Sequence, residues 1–163
     1  MAHGGVGELA QGIAQVMNVS SVDDLHRLTG GASRETWMFS ADSQRYVMQR
    51  VRPGHPGGLG YEPQVLMQAE AVGVPVPQMV FDGSASVALE RPFMIVRAVE
   101  GETIARKILR DDEFAHARTV LASQLGAAVA RTHMVIAEDI PGLPGPDQLE
   151  LYRTVMDLSL IHI

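Results

Sequence analysis

The chain has 163 residues, 46% hydrophobic and 20% charged, a globular composition sufficient for one domain or part of a larger one. Its formal net charge of −6 argues against a nucleic-acid partner, and the lack of cysteine excludes disulfides and thiolate metal sites. With no run of about 18 uncharged apolar residues, and an N-terminus without a basic start, neither a membrane span nor a signal peptide is expected; a cytoplasmic location follows.

Val6, Leu9, Ile13, Val16 and Met17 recur at helical spacing and predict an amphipathic helix over residues 6–17. A short segment from Asp24 to Leu28 then leads to the adjacent Gly30 and Gly31. "RETWMFS" and "RYVMQRV" read as two strands, and "ADSQ" between them has turn chemistry, so the three form a hairpin. "RPGHPGGLG" at 52–60 is a Pro/Gly-rich loop. "YEPQVLMQAEAVG" predicts a short helix, with Pro63 tolerated in its first turn and Gly73 stopping it. "VPVP" imposes extended backbone ahead of a strand near "QMVFDG", and "FMIVRAV" has the unbroken apolar run of a buried central strand. "IARKIL" predicts another short helix. Asp111 or Asp112 is placed to cap a longer one, with Phe114, Ala117, Leu121, Leu125, Ala128 and Thr132 along one face. "EDIPGLPGPDQ" is a loop and "LELYRTVMD" begins a final helix. Strands dominate before residue 98 and helices after it, an α+β order with two lobes, the second incomplete.

Candidate chemistry starts at the glycines. A strand, glycine-rich turn and strand can lay backbone N–H groups over phosphate oxygens, with Gly30 and Gly31 removing blocking side chains and Ser33 adding a hydroxyl. An ordinary hairpin turn explains the same glycines. The phosphate reading further requires a cation on the next strand and a carboxylate on the following helix to hold it. Arg50, beside Gln49, ends that strand; Glu62 opens that helix; and "RAVEGET" is where a hinge bearing adenine contacts would lie. The thirteen basic residues include a single lysine, Lys107, which follows the hinge and is no obvious substitute. None of the six histidines has metal-ligand spacing, no G-x-S-x-G is present, and the acidic run at 111–113 is explained by a helix N-terminus.

"LTGGASRETWMFS", "RYVMQRVRPG", "YEPQVLMQAEAVGVPVPQMV", "PFMIVRAVEGETI" and "LGAAVARTHMV…IPGLP" together resemble the aminoglycoside phosphotransferase-like family, in particular a bacterial branch related to the kinase-like domains of acyl-CoA dehydrogenase fusions. The resemblance runs from about residue 28 to 157. It implies a protein-kinase-like N-lobe, an antiparallel sheet plus one helix, followed by the first helices of a helical C-lobe. It also implies transfer of the ATP γ-phosphoryl group to a small-molecule hydroxyl. On this likeness Gly30, Gly31, Ala32 and Ser33 cover the phosphates, Glu62 is the helix acid, and backbone at Ile95, Val96, Arg97 and Ala98 meets the adenine. The family's strand cation aligns with Gln49 or Arg50, which alternation places on opposite faces, and Arg50 is the expected inward one. His133 is expected to be a structural core residue.

The domains expected are a leading helix and lead-in at 1–27, the N-lobe at 28–97, hinge and early C-lobe at 98–157, and a tail at 158–163. The family's "HGD…N" loop and later "D-x-E/D" motif have no match, so no catalytic side chain or metal ligand is assigned, and Mg²⁺ is expected only for a full-length protein. "LSLIHI" at 158–163 resembles one frame of a sequencing-adapter end, so a non-native tail is expected, against a native apolar segment. The chain is thus expected to be an inactive fragment of a phosphotransferase. A nucleotide-binding pseudoenzyme or regulatory module, and an α+β interaction domain, are the alternatives.

Overall fold

In the computed structural model, which describes residues 5–28, 33–55, 57–86, 88–143 and 153, the first element is helix α1 (Val6–Met17). Leu9 and Ile13, one turn apart, are buried, and Asn18 in the left-handed conformation (φ 55°) ends the helix. Strand β1 (Asp23–Leu28) follows, then β2 (Arg34–Ala41) and β3 (Gln44–Val51). Asp42 and Ser43 separate the paired Ala41 and Gln44, and both have positive φ, 47° and 61°. A two-residue turn of this kind matches the right-handed strand twist, which is how so short a connection closes the hairpin.

Helix α2 (Glu62–Ala71) carries Pro63 in its first turn, and Gly73 (φ 79°) lies just beyond its end. Strands β4 (Met79–Gly83) and β5 (Phe93–Arg97) complete one antiparallel sheet in the order β1-β2-β3-β5-β4. Gly83 permits a close approach here: a Cβ on it would lie 2.5 Å from the ring of the fully buried Phe93, which stacks on Phe81. The Asp24–Leu28 segment, expected as lead-in, is an edge strand of this sheet, paired with β2.

Residues directly opposed across a ladder share a sheet face, and neighbours in a strand alternate. One face therefore carries Phe39, Tyr46, Met48, Phe93 and Ile95, packed with Leu9 and Ile13 of α1. The other carries Val51 and Met94, packed with Leu59 and with Leu66 of α2. The expected leading helix α1 and the expected helix α2 thus cover opposite faces of the sheet.

After β5 come α3 (Ala105–Arg110), a 3₁₀ turn at Asp112–Phe114 and α4 (Ala115–Thr132). Neither Asp111 nor Asp112 caps α4: the intervening 3₁₀ turn puts Phe114 at the cap position, and no side chain bonds there. The apolar face expected for α4 exists, but Leu121, Leu125 and Val129 on this helix are exposed. The final helix expected at 149–157 and the tail at 158–163 fall outside the described residues, apart from Arg153, which is helical.

Candidate functional site

The glycine-rich connection joins β1 to β2. Gly30, Gly31 and Ala32 lie outside the described residues, while both flanks are described: Leu28 is in register with Thr36, and the Ser33 carbonyl accepts from the Arg52 N–H at 3.1 Å. The loop therefore leaves and re-enters a paired hairpin, at the end of the sheet where Arg34 begins β2.

Gln49 lies opposite Thr36 and Met94, which puts it on the α2 face. Arg34 reaches the same place. Its Nη1 donates to Gln49 Oε1 at 2.9 Å and to Glu62 Oε2, and its Nη2 donates to the Leu59 carbonyl at 3.4 Å. One guanidinium thereby ties β2, β3, the loop before α2 and the first residue of α2 together. Gln49 and Glu62, both singled out from sequence, meet through Arg34, which was not. Its position directly after the glycine loop is the available sequence signal.

The expected pairing of Arg50 with Glu62 is replaced by another. Arg50 lies opposite Glu35 and Phe93, on the α1 face. Its Nε and Nη2 both donate to Glu35 Oε2, at 3.2 and 2.9 Å, and Arg91 Nη2 donates to the same oxygen at 3.3 Å. Burial opposes ionisation of Glu35, but the Arg50 hydrogen bond and the charges of Arg50, Arg91 and Arg27 outweigh it and hold the carboxyl below its ordinary value. The reason for the changed pairing is strand alternation: adjacent residues cannot both face Glu62, and Gln49 does.

At the other end of β5, Val96 shares the Gln49 face, while Ile95 and Arg97 belong to the α1 face. The Arg97 N–H donates to the Gln78 carbonyl and the Ala98 N–H to the Arg45 carbonyl, each at 2.9 Å. Lys107 donates to Glu102 Oε2 at 2.9 Å; Glu102 Oε1 accepts from the Thr103 and Ile104 N–H groups. The Ile104 N–H and Lys107 together lower the Glu102 pKa, and Glu102 raises that of Lys107. This lysine is thus committed to the turn before α3. His133, expected in a core, is exposed at the end of α4. An open concavity lined by His26, Met38, Ser40 and Arg45, among others, includes none of the expected site residues. Among the described residues, no group of three or more acidic or histidine side chains is placed to hold a metal, and no helix is long and apolar enough to cross a membrane.

This arrangement of sheet, helices and loop is the α+β fold of kinase-like phosphotransferases. A Ralstonia eutropha JMP134 protein assigned to the aminoglycoside phosphotransferases superposes with a TM-score of 0.63 at 23% identity, over 96% of this chain and 47% of its own. Aminoglycoside phosphotransferase APH(4)-Ia superposes with a TM-score of 0.51 at 20% identity, over 82% of this chain and 40% of its own. The likeness at these identities is one of fold, and the chain spans less than half the length of either structure. The profile of the phosphotransferase enzyme family matches residues 24–161, and the chain belongs to that family. No curated protein matches it.

Proposed function

We propose that this chain is the nucleotide-binding lobe, with the first helices of the second lobe, of a cytoplasmic ATP-dependent phosphotransferase that phosphorylates a hydroxyl of a small molecule. One observation carries the reading: Gln49 and Glu62 are held together on one sheet face, where the glycine-rich β1–β2 connection ends. Phosphoryl transfer asks a protein mainly to position phosphates and to stabilise their charge. A glycine-rich sequence at Gly30, Gly31, Ala32 and Ser33, joining β1 to the strand that carries Arg34, is suited to supply backbone N–H donors for that purpose.

The adenine is assigned to the chain leaving β5. Because the N–H groups of Arg97 and Ala98 already donate within the lobe, the donor for the base falls to Val99 or beyond. The described residues do not compose a Mg²⁺ site, so no step through the metal is assigned to them. Phosphate transfer by the 163-residue chain alone is expected to be absent, since the family's acceptor-orienting Asp and metal-binding motif find no match in it.

The test is calorimetric titration of the protein expressed from its complete gene with MgATP, followed by phosphate transfer to a panel of hydroxylated small molecules, aminoglycosides included. Saturable MgATP binding and transfer to an acceptor are expected, and failure to bind MgATP would overturn the reading. The neutral Gln49 on the strand favours a second reading, a nucleotide-binding regulatory module. That module would bind MgATP and transfer phosphate to no acceptor.

A further inference from the structure

We propose that Arg34 supplies the phosphate-directed cation that β3 lacks, its guanidinium standing between Glu62 and the phosphates of the bound nucleotide. The proposal rests on the nucleotide-binding reading above and names the side chain that makes that site work. It starts from a deficit. The inward residue at the end of β3 is Gln49, which offers a neutral amide, and a neutral group cannot offset phosphate charge.

Four other cations are engaged elsewhere among the described residues. Arg50 is on the opposite face, only 12% exposed, with two of its nitrogens on Glu35. Arg91 shares that carboxylate and also donates to the Val51 carbonyl. Lys107 is paired with Glu102. Arg52 sits beyond the end of β3 and donates through Nε to the Arg34 carbonyl, so it braces the backbone on which Arg34 is mounted.

Arg34 meets each requirement. It is the residue after Ser33, so it stands where the glycine connection rejoins the sheet. Glu62 supplies its counter-charge, and Gln49 and the Leu59 carbonyl orient the guanidinium plane. Its side chain keeps 24% of its surface open, which leaves an edge for a ligand. A guanidinium has five N–H donors in a rigid fork, enough to hold a carboxylate along one edge and phosphate oxygens along another. Gln49 then acts as a positioning residue, its carbonyl fixing the fork that a strand lysine would have made unnecessary.

The experiment compares binding of MgATP and of adenosine by the protein from its complete gene, as wild type, Arg34→Gln, Arg34→Gln/Gln49→Lys and Arg52→Gln. Arg34→Gln is expected to weaken MgATP at least tenfold while leaving adenosine affinity close to wild type; the lost ties to Gln49, Glu62 and the Leu59 carbonyl lower its ligand-free melting temperature without changing that contrast. The double variant, which returns a cation to β3 beside Glu62, is expected to regain most of the loss. Unchanged MgATP affinity in Arg34→Gln, or an equal loss for adenosine, would overturn the assignment. So would a loss confined to Arg52→Gln. If Arg34→Gln alone does not fold, a folded double variant that binds MgATP supports the proposal, and one that does not bind it overturns it. Absence of MgATP binding in the wild type would instead remove the nucleotide reading, and this proposal with it.

Discussion

Glu35 shows how one carboxylate can tie neighbouring strands together at one end of a sheet. Two arginines from β3 and from the turn before β5 converge on one of its oxygens, with side-chain exposures of 12% for Arg50 and 21% for Arg91. Removing the carboxylate would leave two half-buried guanidinium groups facing each other, so Glu35→Gln is expected to cost about 1–3 kcal/mol at neutral pH. The pH dependence has a definite sign. The folded-state pKa of Glu35 lies below its unfolded value, so its stabilisation is complete above the unfolded pKa and is lost as pH falls through the folded one. Urea denaturation of wild type and Glu35→Gln at neutral and acid pH should therefore show a gap that closes in acid. A gap independent of pH would mean that the carboxylate acts through shape alone. The alternation of Gln49 and Arg50 was legible as a choice between two faces. Which face met Glu62 was not, because the answer lies in contacts 15 and 28 residues away, Arg34 with Gln49 and Arg34 with Glu62.

Among the elements, the β2–β3 hairpin was the most legible, since turn-forming residues separate two apolar-rich runs of matched length. The second residue of its turn is nevertheless poorly suited to that place. Ser43 has φ 61°, in the left-handed region that costs a side-chain-bearing residue about 1 kcal/mol relative to glycine. Ser43→Gly is therefore expected to raise the urea midpoint slightly, by up to about 0.5 kcal/mol in stability after the added unfolded-chain entropy of glycine is subtracted. A lower midpoint would show that the serine makes a compensating contact in the turn. Strand β1 was the least legible element. "DDLHRL" has no apolar alternation, and four of its six residues are exposed, because an edge strand can be held by one neighbour's backbone without burying its side chains.

For the whole molecule, α4 is the feature that sets the expected behaviour. Leu121, Leu125 and Val129 lie at helical spacing and are 40%, 56% and 53% exposed, with Met134 and Ile136 exposed beyond the helix end. A contiguous apolar stripe of this kind promotes association. The 163-residue chain is expected to bind a hydrophobic dye and to elute above monomer size in gel filtration. Leu125→Gln/Val129→Gln should reduce both effects while circular dichroism of the sheet is retained. Dye binding and elution unchanged by the double substitution would show that the stripe is not the surface responsible.

Local patterns were enough for α1, the hairpin, α2, β4, β5, α3 and α4, because helical periodicity, strand alternation and turn residues act over a few positions. The ordered resemblance of glycine loop, helix acid and hinge was enough to indicate the phosphotransferase family. Tertiary structure alone decided that β5 inserts between β3 and β4, that β1 joins the sheet, and that α1 and α2 take opposite faces. It also decided that Glu62 receives Arg34 while Arg50 turns to Glu35. Those outcomes depend on which side chains remain unpaired once distant segments have packed, and a charge finds its partner across the fold rather than along the chain.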